Sequence, residues 1–229
     1  MIREFFTSRH GGVSSGRFAD FNLALHVADD PAAVTANREI LAKALGLTSD
    51  RIFYMDQVHG NEIALIERSR PSTQIPKVDA LITAESGTAL VVLVADCIPL
   101  LFRSPKAIAA VHVGRAGLIK GIVEATIARL ISLGSKVNDI SAALGPSICG
   151  NCYEVSQEIH DEVVALHPAA RAKTAQGTPA LDLPAALRVL LKDAGISIVD
   201  EFRCTHENSD LYSYRRDGVT GRQAGIITL

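Results

Sequence analysis

Two imidazoles and a thiol stand where buried chain gives way to polar chain. His59 lies in Gln57-Val58-His59-Gly60-Asn61, Cys97 follows the apolar run Ala89-Leu90-Val91-Val92-Leu93-Val94-Ala95, and His112 is near the end of a second such run over 107–113. Nitrogen and sulfur donors suit zinc, and three protein ligands leave a fourth position open, the mark of a catalytic rather than a structural zinc. Water at an open position becomes acidic enough to react near neutral pH. The same residues also fit a turn histidine, a small buried cysteine and a core imidazole, since free Cys and scattered His are ordinary interior residues. A metal-free chemistry is open to them too, with Cys97 as nucleophile and His112 or His59 as its base. Asp96, beside the thiol, is the nearest carboxylate for proton transfer, and it can equally accept backbone N–H groups at the strand end.

A rival metal set is Cys149-Gly150-Asn151-Cys152 with Cys204-Thr205-His206, which has the C-x-x-C spacing of closed zinc sites but no second knuckle. A redox pair or simple packing is the other reading of these cysteines. Among the remaining histidines, His160 beside Asp161 and Glu162 reads as part of a solvated helix, and His167 as its end, where a positive imidazole suits the dipole. His10 and His26 sit in polar loop sequence near Arg9 and Asn22, where they can line a pocket, although a surface histidine is the plainer reading of both. Arg9, in a Gly-flanked loop, is a candidate anion ligand and equally a structural salt-bridge partner, with Asn22 and Arg115 as further candidates for substrate. Arg215 and Arg216 read as one structural and one solvated cation.

The elements that must position these groups alternate along the chain. Asp30-Pro31 is an N-cap and first-turn pair; Val34, Leu41 and Leu45 then share a helical face that Gly46 ends. Short β-prone runs over 52–55 and 63–66 flank His59 and place it on a connection between strands. The runs ending at Cys97 and His112 read as strands buried on both faces. Gly114 and Gly117 lead into one helix carrying Ile119, Ile122, Val123, Ile127 and Leu130. Segments 140–144, 156–167, 184–194, 196–199 and 225–228 continue the mixture, which predicts an α/β fold with mixed sheets in one domain spanning 1–229.

Composition narrows the partners. With 23 basic and 25 acidic residues, the net charge of −2 makes no field that would gather nucleic acid or an anionic membrane. The opening lacks an apolar core of signal-peptide length, and the best apolar run, 89–102, is interrupted by Asp96 and too short for a bilayer, which needs ~20 residues. A cytoplasmic location with four reduced cysteines is the expectation, and a homo-oligomer is left open.

Several segments together resemble one family. They are Thr7-Ser8-Arg9-His10-Gly11-Gly12-Val13-Ser14, Gln57-Val58-His59-Gly60, Asp79-Ala80-Leu81-Ile82-Thr83, Ala95-Asp96-Cys97-Ile98-Pro99-Leu100, Val111-His112-Val113-Gly114, the stretch from Leu144-Gly145-Pro146-Ser147 to Tyr153-Glu154-Val155, and Ser213-Tyr214-Arg215-Arg216-Asp217-Gly218 through Arg222. In this order they look like the YfiH family, also called the laccase-domain or multicopper polyphenol oxidase family. The resemblance implies mixed β-sheets packed between helices in an α/β/β/α layering and a zinc site on His59, Cys97 and His112. It also implies purine nucleoside phosphorolysis, with adenosine, inosine or methylthioadenosine and phosphate giving free base and a ribose 1-phosphate, together with adenosine deamination. Editing of peptidoglycan precursors is a further role associated with similar proteins. The laccase label suggests copper instead, which outcompetes zinc at most nitrogen and sulfur sites. A trinuclear cluster plus a blue-copper centre would nevertheless need more imidazoles than the seven histidines present. One departure stands out: the family pattern Ala-Gly-Trp-Arg-Gly after the second histidine is here Val113-Gly114-Arg115-Ala116-Gly117. Adjacent side chains point in different directions, so Arg115 replaces the missing arginine only by reaching from the neighbouring position.

Overall fold

In the computed structural model, which describes residues 2–229, the chain forms strands β1 (Arg3–Phe6), β2 (Ile52–Phe53), β3 (Ile63–Ile66), β4 (Ala80–Thr83), β5 (Ala89–Val94), β6 (Ile98–Arg103), β7 (Ile108–Val113), β8 (Ser141–Leu144), β9 (Arg171–Lys173), β10 (Pro179–Leu181), β11 (Ser197–Asp200) and β12 (Gln223–Thr228). The helices are α1 (Pro31–Leu45), α2 (Arg115–Ile119), α3 (Ile122–Ser132), α4 (Gln157–Leu166), α5 (Leu183–Asp193) and α6 (Tyr214–Asp217). One sheet has the order β1-β12-β5-β2 and the other β11-β8-β6-β7-β4-β3, with β10-β9 as a separate ribbon. Both larger sheets are mixed: β2 runs parallel to β5, β3 to β4 and β11 to β8, while β6 and β7 are antiparallel.

Side-chain alternation sorts the interior into layers. Leu90, Val92 and Val94 of β5 face Leu81, Leu101, Ile108 and Ala110 of the other sheet, so the two sheets pack face to face. The opposite face of β5, with Ala89, Val91 and Leu93, meets Leu41, Ala42 and Leu45 of α1. On the far side Leu100, Phe102 and Val111 pack under Ile127 and Leu130 of α3 and Leu187 and Leu191 of α5. The expected α/β/β/α layering is what forms. Leu100 and Phe102 are fully buried, and burial of such side chains stabilises by ~1.5–3 kcal/mol each.

Local chemistry sets the element ends. The Asp30 side chain accepts the Ala32 N–H at the start of α1, and Gly46 closes it with φ of 68°. The single helix expected after Gly114 is instead two, broken at Gly121, whose φ of 77° a β-carbon would disfavour. That break turns Lys120 toward the histidine loop: its carbonyl accepts from Asn61 Nδ2 at 2.9 Å, and its Nζ donates to the His59 carbonyl at 3.3 Å. His160 is buried rather than solvated, because it shares the inner face of α4 with Val163 and Val164; its Nδ1 lies 2.9 Å from Asp161. Among the described residues no helix is long and apolar enough to cross a membrane.

Candidate functional site

Strand parity delivers the donors. His112 shares the inter-sheet face of β7 with Ile108 and Ala110, and Cys97, just before β6, packs on that same inter-sheet cluster. His59 comes to them on its loop in a left-handed conformation with φ of 58°, and Asp96 has φ of 95°. Two non-glycine residues held in this region beside one another's loops mark a place where the surroundings over-determine the backbone. His59 Nε2 lies 4.0 Å from Cys97 Sγ, the two imidazole rings are 4.7 Å apart edge to face, and one donor atom from each of the three residues falls within 4.8 Å of the others.

One carboxylate organises this cluster. Asp79, fully buried before β4, takes His112 Nδ1 at 2.7 Å and accepts the backbone N–H groups of His59 at 3.0 Å and Gly60 at 2.6 Å. An Nδ1–H donated to Asp79 leaves the His112 Nε2 lone pair free for a metal, a carboxylate–histidine arrangement common behind metal ligands. Zinc bonds of about 2.3 Å to sulfur and 2.0 Å to nitrogen place tetrahedral donors roughly 3.5 Å apart. The observed spacing needs only a small side-chain adjustment. Gly114 leaves the room: a β-carbon there would sit 3.0 Å from His59 Cδ2 and 3.2 Å from Cys97 Sγ. The residues therefore fit a single three-ligand metal ion.

Charge favours the ligating form of the thiol. Burial alone would push Cys97 up, but the His112 charge and hydrogen bonds from both imidazoles outweigh it and bring the thiol down to about 6. Burial disfavours charge on His112 as well, yet the Cys97 thiolate and Asp79 raise it to about 9. Burial also works against the Asp79 carboxylate, and its bonds to His112 and the two backbone N–H groups still hold it below the ordinary range.

The cluster opens into a cavity of about 410 Å³ that His26, Arg115, Tyr153, Tyr214, Arg215 and Arg222 also line. Asp96 lines it too, but both its carboxylate oxygens hold protein donors, Thr205 Oγ1 at 2.6 Å and the Arg215 N–H at 2.7 Å. Arg222 is secured by the carbonyls of Thr220 and Gly221 at 2.8 and 2.9 Å. Burial, then the Arg222 charge, lower the His26 pKa.

Two expected substrate residues are not among those that line this cavity. Arg9 donates Nε to the Ala19 carbonyl at 2.8 Å and lies over the Tyr212 ring. Asn22 is fully buried; its Oδ1 accepts the Arg222 N–H at 2.9 Å, which makes it a support of the cavity wall. Of the two consecutive arginines, Arg215 reaches the cavity, and Arg216 donates to the carbonyls of Thr205, His206, Asn208 and Leu211. His10 is exposed and bonds Asp210 at 2.9 Å, whereas His26 lines the cavity as its loop position allowed. Sequence reasoning missed Asp79 and Arg222 as site residues. An acid directly before a run as apolar as 80–82 was the available signal for the first.

The model of the multi-copper polyphenol oxidoreductase laccase family matches residues 3–229. The chain belongs to this family. It is 46% identical over 227 residues to a purine nucleoside phosphorylase of Streptomyces coelicolor, covering 98% of this chain and 94% of that protein. A purine nucleoside phosphorylase of Mycobacterium tuberculosis is also 46% identical, over 99% of this chain and 91% of its own length. Among solved structures, YlmD from Geobacillus stearothermophilus superposes with a TM-score of 0.91 at 33% identity, covering 99% of this chain and 91% of that one. The Bacillus licheniformis hypothetical protein YfiH gives 0.91 at 30% identity, with 100% and 92% covered.

Proposed function

We propose that this chain, working as one domain over 1–229, is a zinc-dependent purine nucleoside phosphorylase acting on adenosine, inosine and methylthioadenosine, with adenosine deamination as a second activity. The observation that carries the reading is the meeting of a three-donor cluster and the basic residues Arg115, Arg215 and Arg222 in the lining of one cavity. The names of the relatives at 46% identity support the same substrate class. Phosphorolysis breaks the bond from C1′ to the purine nitrogen and forms a bond from C1′ to a phosphate oxygen, and the departing base takes up a proton. Zinc held by His59, Cys97 and His112 would supply Lewis acidity to both reactions. The chain's own part is to bind and orient. Arginine is the side chain best suited to phosphate, and Tyr153 and Tyr214 offer ring faces to a purine. Asp79 fixes His112 in the tautomer that points Nε2 forward, and Asp96 ties Thr205 and Arg215 to the strand end that carries Cys97. The expected location is the cytoplasm.

Copper on the same donors is the second reading, resting on the family's description. Of the seven histidines, only His59 and His112 belong to a cluster of three or more potential metal donors among the described residues, which is one metal's worth of ligands and not a multicopper set. The deciding experiment is elemental analysis of tag-free protein beside product assays with adenosine, inosine and phosphate. At least one zinc per chain and base release that requires phosphate are expected. Base release equal in the presence and absence of phosphate, or turnover of phenols with copper and none of nucleosides, would overturn the reading.

A further inference from the structure

A second donor cluster lies outside the cavity chemistry. The Sγ atoms of Cys149, Cys152 and Cys204 and a carboxylate oxygen of Glu207 all fall within 4.8 Å of one another. The fourth member is Glu207 and not the His206 that the sequence pattern favoured; Glu207 Oε1 is 3.5 Å from Cys152 Sγ and 3.9 Å from Cys149 Sγ.

The fold builds this convergence from two distant loops. Ser147 and Cys204 form a parallel bridge, in which the Ser147 N–H donates to the Arg203 carbonyl at 3.1 Å and the Thr205 N–H to the Ser147 carbonyl at 3.0 Å. The Cys149 carbonyl accepts from both Cys152 and Tyr153 at 3.1 Å, a tight turn that brings the two thiols of the C-x-x-C to the same side. The Cys149 N–H donates to Cys204 Sγ at 3.4 Å, a contact that suits a thiolate. The Arg216 guanidinium, bonded to the carbonyls of Thr205, His206 and Asn208, puts a positive charge against the loop that carries Cys204 and Glu207.

We infer that Cys149, Cys152, Cys204 and Glu207 form a second, closed site for a thiophilic divalent cation of the zinc type. Three thiolates and one carboxylate complete a tetrahedron, the thiol protons leave to solvent on binding, and no position stays open for substrate. Tetrahedral sulfurs around zinc stand about 3.8 Å apart, inside the 4.8 Å within which these donors all lie. A Cys149–Cys152 disulfide is the competing use of the pair, but it would leave the buried Cys204 thiol and the Glu207 carboxylate converged on nothing. The site's role is structural. Its two loops hold Asp96 from both sides, through the Ile148 N–H on the Asp96 carbonyl at 2.9 Å and Thr205 Oγ1 on its carboxylate, so the metal would clamp the turn that presents Cys97.

The test uses the full chain, purified reduced and loaded with zinc, then with cobalt(II). Native mass spectrometry is expected to find two zinc ions per wild-type chain and one fewer in Cys149→Ser/Cys152→Ser; a zinc count that this double substitution leaves unchanged overturns the inference. Cys97→Ser, which lacks the only thiolate of the first site, should keep a thiolate-to-cobalt charge-transfer band, and that band should vanish in Cys149→Ser/Cys152→Ser. Glu207→Gln, an exposed change that spares the thiols, should weaken the second zinc at least tenfold in chelator competition. No charge-transfer band in folded Cys97→Ser, or a Cys149–Cys152 disulfide whose reduction is followed by no metal uptake, overturns the inference. These results are independent of nucleoside turnover, which reads the other site.

Discussion

Asp79 Oδ1 lies 2.7 Å from His112 Nδ1 and 3.0 Å from the His59 backbone nitrogen, so a single buried oxygen holds one histidine by its ring and the other by its main chain. Asp79→Asn preserves the volume but turns an NH₂ group toward N–H donors. The expected result is a 10- to 100-fold loss of zinc affinity, the usual effect of removing a partner behind a metal ligand. Leaving a buried donor unpaired also costs about 1–3 kcal/mol of stability. Chelator competition and thermal unfolding measure the two effects separately. Unchanged zinc affinity would remove Asp79 from the site.

The pH dependence of the metal-free protein follows from the Cys97–His112 pair. Cys97 falls from its ordinary 9.0 to about 6 on folding, so its contribution is complete above 9.0 and is lost as pH drops through 6. His112 rises from 6.5 to about 9, so its contribution is complete below 6.5 and is lost as pH climbs through 9. The two overlap between about 6 and 9, where thiolate and imidazolium coexist. Unfolding temperature of the chelated protein should peak in that window, and Cys97 alkylation should be fast throughout it. Restoring zinc should protect the thiol; equal alkylation with and without zinc would favour the metal-free nucleophile.

The layering and the candidate trio of His59, Cys97 and His112, whose donor atoms the fold brings together, were legible because each rests on a local pattern. Asp30, Pro31 and Gly46 bound α1 as capping chemistry requires, and the valine-rich run of β5 ends where Cys97 begins. What was hidden depends on tertiary closure. Asp79 looks like any acid at a turn until β3 and β7 pack against β4 and bury it. Arg222 joins the cavity only when β12 inserts between β1 and β5. Glu207 and His206 are neighbours in sequence, and only the direction of the 204–207 loop decides which one meets the cysteines. For His160 the signal was present, since 160, 163 and 164 share a helical face, but its acidic neighbours masked it.

Arg115 tests the substituted stretch after His112. It lines the cavity from α2, with Glu162 Oε2 3.8 Å from its Nη1 on the outer side. If Arg115 meets phosphate, Arg115→Ala removes a charge-assisted hydrogen bond of about 1.5–3 kcal/mol, which raises the KM for phosphate roughly 10- to 100-fold. Zinc content and adenosine deamination, which uses no phosphate, should stay near wild type. Initial rates at varied phosphate give the answer. A fall in deamination equal to that in phosphorolysis would assign Arg115 to the nucleoside instead.

Gly114 offers the cleanest separation of site from fold. Its φ of −89° and ψ of 173° are open to any residue, so Gly114→Ala brings no backbone strain. The new methyl group would nevertheless stand 3.0 Å from His59 Cδ2 and 3.2 Å from Cys97 Sγ, tighter than ordinary contact. His59 is the partner able to yield, since its side chain sits on an exposed loop, whereas Cys97 is held at the start of β6. Moving His59 aside parts it from the other donors. Stability should change by no more than ~1 kcal/mol, because alanine also loses less chain entropy than glycine on folding. Zinc affinity should drop at least tenfold, and phosphorolysis should fall with it. Circular dichroism melts, zinc competition and base-release rates on the same preparation distinguish the outcomes: an intact fold with lost zinc supports the three-ligand centre, and undiminished zinc with undiminished turnover would move the chemistry away from His59.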